Sequence, residues 1–175
     1  MNRIVYMVLR HLPIVPYWFW KIDHMGKRPD QYPEQERYDY LRNIIKTINQ
    51  NGRVTVRGYG EEQLPKENGF ILFPNHQGFF DMLAIIDTCP KPLGVIIKKE
   101  AANWILVKQV LRLLGGIPMD RSDIRAAMEV IKEMTRQVKE GKNYVIFPEG
   151  TRSRKGNELL EFKAGTFKSA INAGC

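Results

Sequence analysis

The sequence is poor in cysteine and histidine, the residue types of disulfide frameworks and zinc sites. Its 175 residues include two cysteines, Cys89 and Cys175, and three histidines. Two cysteines form no framework and nothing resembles a cleaved secretory signal, so we expect a reduced, cytoplasmic setting. A zinc site needs three or four His, Cys, Asp or Glu ligands. His11 and His24 lie in an N-terminal stretch with features of a membrane contact, away from His76, so we expect no metal site.

The sequence has no low-complexity tracts and no internal repeats. It has fewer acidic than basic residues: Lys and Arg number 27 against 19 Asp and Glu, which gives a net charge of +8. This surplus favours an anionic partner, which charge alone leaves open among phosphate groups, an acidic membrane surface and nucleic acid. The hydrophobic content of 43% and aromatic content of 10% exclude a disordered chain, and the length suits one domain with a substantial core.

The N-terminal stretch lacks the uninterrupted run of about 20 apolar residues that a membrane-spanning helix needs. Residues 1–21 read MNRIVYMVLRHLPIVPYWFWK, with an apolar stripe at helical spacing from Ile4 to Leu12, then two prolines and an aromatic cluster. A basic amphipathic start of this kind favours a segment lying among lipid headgroups. The alternative is a helix docked on the protein's own core. We expect residues 1–30 to form a membrane-interface segment and residues 31–175 the main domain.

Beyond this segment, the apolar pattern alternates between helical and strand periods. This alternation predicts an α/β domain with a mostly parallel or mixed sheet flanked by helices. Helices are predicted over residues 37–49, from Phe79 onward, over 104–114, from a cap at Ser122 to Gly141, and from near Lys163. Strands are predicted over residues 53–59, up to Phe73, over 93–97 and over 143–147, with a short extended piece at 116–121.

The most informative stretch is PNHQGFFD at residues 74–81, where a histidine and a carboxylate stand five positions apart. On a continuous helix such residues point about 140° apart, so His76 and Asp81 meet only if the chain turns between them. A strand ending at Phe73 and a helix from Phe79 provide that corner. Asp81 would then hold one ring nitrogen and leave the other free to take a proton. The pair alone is a weak signal, because short motifs are often incidental.

Several cationic or donor-rich positions stand just past predicted strand ends. In the last of these turns, Gly150 lets the backbone approach a ligand, Thr151 offers a hydroxyl, and Arg152 presents a planar fork that matches phosphate oxygens. Taken singly, each position is explained as a solvated loop residue. Together, around one histidine, they are typical of a catalytic base surrounded by anion binders. The positions are Lys98, Lys99, Arg121 and the turn FPEGTRSRK at residues 147–155.

Three of these stretches resemble the motifs of the glycerolipid acyltransferase family, and within it the lysophosphatidic acid acyltransferases. NHQGFFD at residues 75–81 resembles the first motif, His-x4-Asp, although Gly78 stands where many members have serine. GIPMDR at 116–121 resembles the second motif and FPEGTR at 147–152 the third. Order and separation agree over about residues 37–173. The fourth motif, a proline-containing apolar strand, does not follow, so we expect a C-terminally shortened domain.

The resemblance implies transfer of a fatty acyl group from acyl-CoA or acyl carrier protein to the free hydroxyl of lysophosphatidic acid, giving phosphatidic acid without a cofactor. His76 and Asp81 would act as the general base, without a covalent nucleophile. The setting implied is the cytoplasmic face of the cell membrane, as a peripheral or monotopic protein on an anionic surface. Alternatives are another acceptor, such as glycerol 3-phosphate or another lysolipid, or a non-catalytic protein that binds membranes or nucleic acid. We expect no nucleic-acid partner.

The remaining site residues would bind the substrates. Arg121 and Arg152 would hold the acceptor phosphate, with donors from Gly150 and Thr151. Glu149 would orient an arginine. Either of the lysines at positions 98 and 99 would stabilise the oxyanion that forms on the thioester carbonyl.

Overall fold

The computed structural model describes residues 10–154, 156 and 158–175, and its central feature is a four-stranded sheet. The strand order is β1-β4-β2-β3, and each neighbouring pair is parallel. Because the strands are parallel, their carboxyl ends all lie at one edge of the sheet. The predicted α/β class with a parallel sheet is therefore confirmed. The strands are β1 (Ile71–Leu72), β2 (Gly94–Lys98), β3 (Ile117–Met119) and β4 (Tyr144–Val145).

Helices cover both faces of this sheet. Val145 and Phe147 pack into one core cluster with residues of the first helices, whereas Tyr144 and Ile146 pack into a second cluster with Met134. This alternation is the period of two that a strand buried on both faces requires. The helices are α1 (Val15–Gly26), α2 (Glu34–Asn51), α3 (Phe80–Thr88), α4 (Lys99–Ala102), α5 (Val107–Leu113), α6 (Ile124–Lys139) and α7 (Lys168–Ala173), with 3₁₀ turns at Glu61–Gln63 and Ala164–Phe167.

Helix α1 docks on the core through one side and leaves apolar side chains on the other. Ile22 and Met25 are buried in the same cluster as residues of α2, whereas Tyr17 and Trp20 are more than half exposed. Among the described helices, none is both long and apolar enough to cross a bilayer. Most of the apolar stripe predicted from Ile4 onward lies outside the described residues.

Three predicted boundaries are corrected by the structure. Residues 53–59 form no strand. Their side chains alternate between exposed and half-buried over 53–57 as predicted, but the segment lies on the surface after α2 without a sheet partner among the described residues. The helix predicted from Trp104 begins at Val107 instead. Helix α6 is capped by Asp123, whose side chain accepts hydrogen bonds from Arg125 N–H and Ala126 N–H.

Asp123→Ala should lower the free energy of unfolding by about 1 kcal/mol, because two N–H groups at the start of α6 lose their acceptor. Ser122→Ala is the matched control. The Ser122 hydroxyl donates to Asp120 and does not cap the helix, so its loss should cost less. Urea denaturation followed by circular dichroism measures both values. A larger loss for the serine variant would contradict the assignment of the cap.

Candidate active site

The chain turns sharply where it leaves β1, and this turn brings His76 and Asp81 together as predicted. His76 Nδ1 lies 2.8 Å from Asp81 Oδ2. The same oxygen accepts hydrogen bonds from the backbone N–H groups of Gln77 at 2.7 Å and Gly78 at 2.9 Å. Three donors therefore converge on one carboxylate oxygen at the start of α3, which fixes the carboxylate relative to the histidine ring.

The Asp81 carboxyl is held in its ionised form. Partial burial favours the protonated form, but hydrogen bonds from Gly78 N–H, the His76 ring and Gln77 N–H outweigh it and keep the pKa of Asp81 below its usual range. An ionised carboxylate only accepts hydrogen bonds, so Nδ1 of His76 is the donor, and the neutral form of the ring has its lone pair on Nε2. The side chains are 22% and 21% exposed, so a substrate can reach the pair.

The plane of the histidine ring is set by Phe147, which follows β4. The two rings stack with centroids 4.1 Å apart and an interplanar angle of 27°. Phe147 is buried, so it offers a fixed surface for the imidazole. The sequence predicts Phe147 at the end of a strand and at the start of the third motif, but not its contact with the histidine. That contact requires β4 to lie beside β1, and no local pattern specifies this order.

The backbone of His76 is held by residues beyond β4. Its N–H donates to Glu149 Oε1 at 2.7 Å, and its carbonyl accepts from Ser153 N–H at 2.8 Å. Glu149 is 2% exposed, and its second oxygen accepts from Leu160 N–H at 3.1 Å. The expectation that Glu149 orients an arginine is therefore corrected: this carboxylate binds backbone N–H groups. It joins the His76 loop to the turn after β4 and to the segment around Leu160.

The side chains of the two predicted phosphate-binding arginines are both found at the turn after β4. Arg152 belongs to this turn, whereas Arg121 reaches it from the segment after β3. Arg121 Nη1 donates to the carbonyl of Gly150. The Arg152 guanidinium lies over the ring of Phe79, 4.2 Å from its centroid. Since Phe79 belongs to the loop that contains His76, this stacking places Arg152 beside the histidine loop. The expected convergence of the three motifs is thus present, although the first contact of each arginine is with the protein itself.

The two lysines at the carboxyl end of β2, Lys98 and Lys99, differ in how strongly they are paired. Lys99 forms an ion pair with Asp120, and hydrogen bonds from Lys99 and Ser122 hold the pKa of Asp120 well below its usual range. The same contact raises the pKa of Lys99. Lys98 Nζ lies 3.5 Å from Glu100 in an exposed pair. Lys98 is therefore the less firmly engaged of the two candidates for the oxyanion.

Gly150 adopts a backbone conformation that side chains rarely tolerate, with a φ of +69°. Its N–H donates to the carbonyl of Phe147 at 3.1 Å, so it is not the free donor that we expected. A Cβ atom at this position would lie 3.1 Å from Lys163 Cε and 3.2 Å from Lys163 Nζ. Glycine thus makes room for the ammonium group of Lys163. This lysine lies outside all three motifs, so the motifs do not predict it. Thr151 remains exposed, as expected of a ligand donor.

Glu149→Gln should lower the free energy of unfolding by about 1–3 kcal/mol, because an amide cannot accept both backbone hydrogen bonds and turns a donor towards one of them. We expect the His76 backbone amide signal to shift in NMR spectra of the same variant. Glu161→Gln, at an exposed position of the following segment, is the matched control and should change neither quantity. Unchanged stability of Glu149→Gln would contradict the role of this carboxylate.

Comparison with known proteins places this site in a family. A sequence profile of the Acyltransferase family matches residues 53–175. A 1-acyl-sn-glycerol-3-phosphate acyltransferase from Borreliella burgdorferi is 34% identical over 115 residues, which cover 66% of this chain and 46% of that protein. An enzyme of the same name from Cocos nucifera is 41% identical over 98 residues, which cover 55% of this chain and 32% of that protein. The chain therefore spans less than half the length of these two relatives.

The fold has a counterpart among solved structures. The crystal structure of the 1-acyl-sn-glycerophosphate (LPA) acyltransferase PlsC from Thermotoga maritima matches with a TM-score of 0.74 and 25% sequence identity, over 99% of this chain and 72% of that one. The profile match covers well over half of the chain and contains all three motifs that meet at the carboxyl edge of the sheet. The chain therefore belongs to the Acyltransferase family.

Proposed function

We propose that the protein transfers a fatty acyl group from an acyl thioester to the free hydroxyl of lysophosphatidic acid, giving phosphatidic acid for phospholipid biosynthesis. The observation that carries the proposal is the His76 ring, held through Nδ1 by Asp81 at 2.8 Å, beside the turn where two arginines meet. The relatives named 1-acyl-sn-glycerol-3-phosphate acyltransferases support this acceptor. The thioester carrier is coenzyme A or acyl carrier protein.

In this reaction His76 is the general base. Its Nε2 takes the proton of the acceptor hydroxyl as the hydroxyl oxygen attacks the thioester carbonyl carbon. A carbon–oxygen bond forms, the carbon–sulfur bond breaks, and the proton passes from the imidazolium to the leaving thiolate. The ionised Asp81 stabilises the imidazolium between these two proton transfers. Because the ring is already fixed by Phe147, little reorganisation is needed when the substrates bind.

Direct transfer in a ternary complex agrees with the environment of the available nucleophiles. The Ser153 hydroxyl is buried and donates to the carbonyl of Glu158 at 2.6 Å. Cys89 lies in the core at the end of α3, and burial raises the pKa of its thiol. Neither group is an activated nucleophile, since such activation needs an adjacent base or a lowered pKa. The acyl group therefore passes to the acceptor without an acyl-enzyme.

The acceptor phosphate binds at the turn after β4. The Arg152 guanidinium is stacked on Phe79, which leaves the N–H groups in its plane available for phosphate oxygens. Arg121 uses one nitrogen for the carbonyl of Gly150 and keeps further donors. The Lys163 ammonium beside Gly150 adds a third positive charge, and it makes no ion pair with a carboxylate in the part of the chain that the structure describes. We place this chemistry at the cytoplasmic face of the membrane, where the acceptor and the product reside.

His76→Ala should abolish acyl transfer, with a loss of about 10²–10⁴-fold, because the group that takes the hydroxyl proton is removed. Binding to lipid vesicles should be unchanged. His24→Ala, which removes a histidine of α1, is the control and should keep its activity. The assay follows phosphatidic acid formed from an acyl thioester and lysophosphatidic acid by the 175-residue chain. Substantial turnover by the alanine variant would remove His76 from the role of base.

Arg152→Ala should mainly weaken binding of the acceptor, because a charge-assisted contact with phosphate contributes about 1.5–3 kcal/mol. We therefore expect the KM for lysophosphatidic acid to rise by about 10–100-fold, with a smaller change in kcat. Arg57→Ala removes an exposed arginine from the segment after α2 and serves as the control for net charge. An unchanged KM in the Arg152 variant would refute its assignment to the phosphate.

A further inference from the structure

We propose that the turn Trp104–Leu106, between α4 and α5, inserts into an anionic lipid bilayer. Together with the exposed side of α1, it holds the carboxyl edge of the sheet, where the three motifs meet, against the membrane. The three consecutive apolar side chains are 54%, 84% and 49% exposed. This inference extends the proposed function to the place where the acceptor is met, and it is tested by binding alone.

The conformation of the turn projects these side chains outward. A helix starting at Trp104 would place successive residues around its axis and bury part of them. Instead α5 starts at Val107, and Leu106 has a φ of +73°, which residues other than glycine rarely adopt. This unusual conformation keeps Trp104, Ile105 and Leu106 together at the surface.

The backbone of the turn is largely paired within the protein. Trp104 N–H donates to the carbonyl of Ala101 at 3.1 Å, and the carbonyl of Trp104 accepts from Lys108 N–H at 3.0 Å. Leu106 N–H donates to the side-chain oxygen of Gln109 at 2.9 Å. Unpaired backbone groups are costly in hydrocarbon, so this pairing removes a main obstacle to insertion. Tryptophan at one end suits the level of the headgroups.

Helix α1 supplies a second apolar surface beside the turn. Asp23 pairs with Arg112 at 3.2 Å, and the backbone of Gly26 approaches that of Leu113 so closely that a Cβ there would lie 3.1 Å from Leu113 N. Both contacts join the carboxyl-terminal parts of the two helices, so α1 packs against α5, the helix that directly follows the turn. The large exposed side chains of the α1 region are Leu12, Ile14, Val15, Tyr17 and Trp20.

The charge around these apolar groups identifies the partner as an anionic surface. Residues 10–28 and 98–112 together contain eight lysines and arginines against two acidic residues, a surplus of six in a chain of net charge +8. Lys108 is exposed one turn beyond the inserted residues. Apolar side chains among basic ones match the interface of a bilayer that contains acidic lipids.

Insertion at this turn also orients the active site. Helix α4 begins at Lys99, directly after β2, and Lys99 pairs with Asp120 just past β3. The turn is therefore separated from the carboxyl edge of the sheet by a single short helix. A protein seated on this turn holds that edge, and with it the phosphate-binding groups, close to the headgroups.

The test uses Trp104 as its own reporter. The chain has three tryptophans, so Trp18→Phe combined with Trp20→Phe leaves Trp104 as the only one. With vesicles of equal parts phosphatidylglycerol and phosphatidylcholine, we expect its emission to shift to shorter wavelength and to be quenched by lipids with brominated acyl chains. In the wild-type background, Ile105→Asp should weaken vesicle partitioning about tenfold or more, because a buried isoleucine side chain is lost from the bilayer.

Ile171→Asp is the matched control, since Ile171 is 75% exposed on α7 and far from the turn in sequence. It should leave partitioning unchanged. Trp104 emission that is not quenched while the protein is bound, or an equal loss for both aspartate variants, would overturn the proposal. So would a dimer seen without lipid by analytical ultracentrifugation and abolished by Ile105→Asp, which would assign the turn to a second copy. The two proposals fail independently. If His76→Ala still binds vesicles but no longer transfers the acyl group, membrane binding does not depend on the chemical step.

Discussion

A buried carboxylate constrains the geometry of the active site. Glu149 is 2% exposed, and a polar group that is buried so completely is tolerated only when it is hydrogen-bonded. Both donors are backbone N–H groups, from His76 and Leu160, so the requirement fixes main-chain positions and is independent of the side chain at position 76. The backbone of His76 is therefore positioned by contacts that do not involve its side chain, and the side chain is held by other partners. The turn after β4 is thus joined to the histidine loop by hydrogen bonds on both sides of the His76 peptide backbone.

The control of the histidine ring is divided among separate partners. Glu149 and Ser153 hold its peptide groups, Phe147 sets the plane of the ring, and Asp81 fixes the rotation and the tautomer. Each partner restrains a different degree of freedom, which is how a side chain of modest length is kept within the narrow tolerance that catalysis requires. Three of the four lie past β4, so the histidine in the loop after β1 is positioned mainly by the segment that follows β4.

This division explains how much of the site is predictable from sequence. The contact of His76 with Asp81 is local and follows from spacing and a strand-to-helix corner, and the motif order indicates that Arg121 and Arg152 converge. The roles of Phe147 and Glu149 depend on β4 lying between β1 and β2, an order that tertiary packing decides. The strand predicted over residues 53–59 is wrong for a similar reason. An alternation of apolar and polar residues also occurs in surface segments, and such a segment is a strand only if it pairs with a neighbouring strand.

The positive φ of Leu106 is unlike that of a residue that only ends a helix. Two residues other than glycine have a positive φ, Arg53 and Leu106, in the part of the chain that the structure describes. Arg53 follows the end of α2, where a left-handed residue commonly closes a helix. Leu106 directly precedes α5, a position where an extended backbone is usual. Its apolar side chain is also exposed. The unfavourable backbone conformation and the exposed apolar side chains of this turn have one common explanation if the turn lies in hydrocarbon, and not in water, when the protein functions.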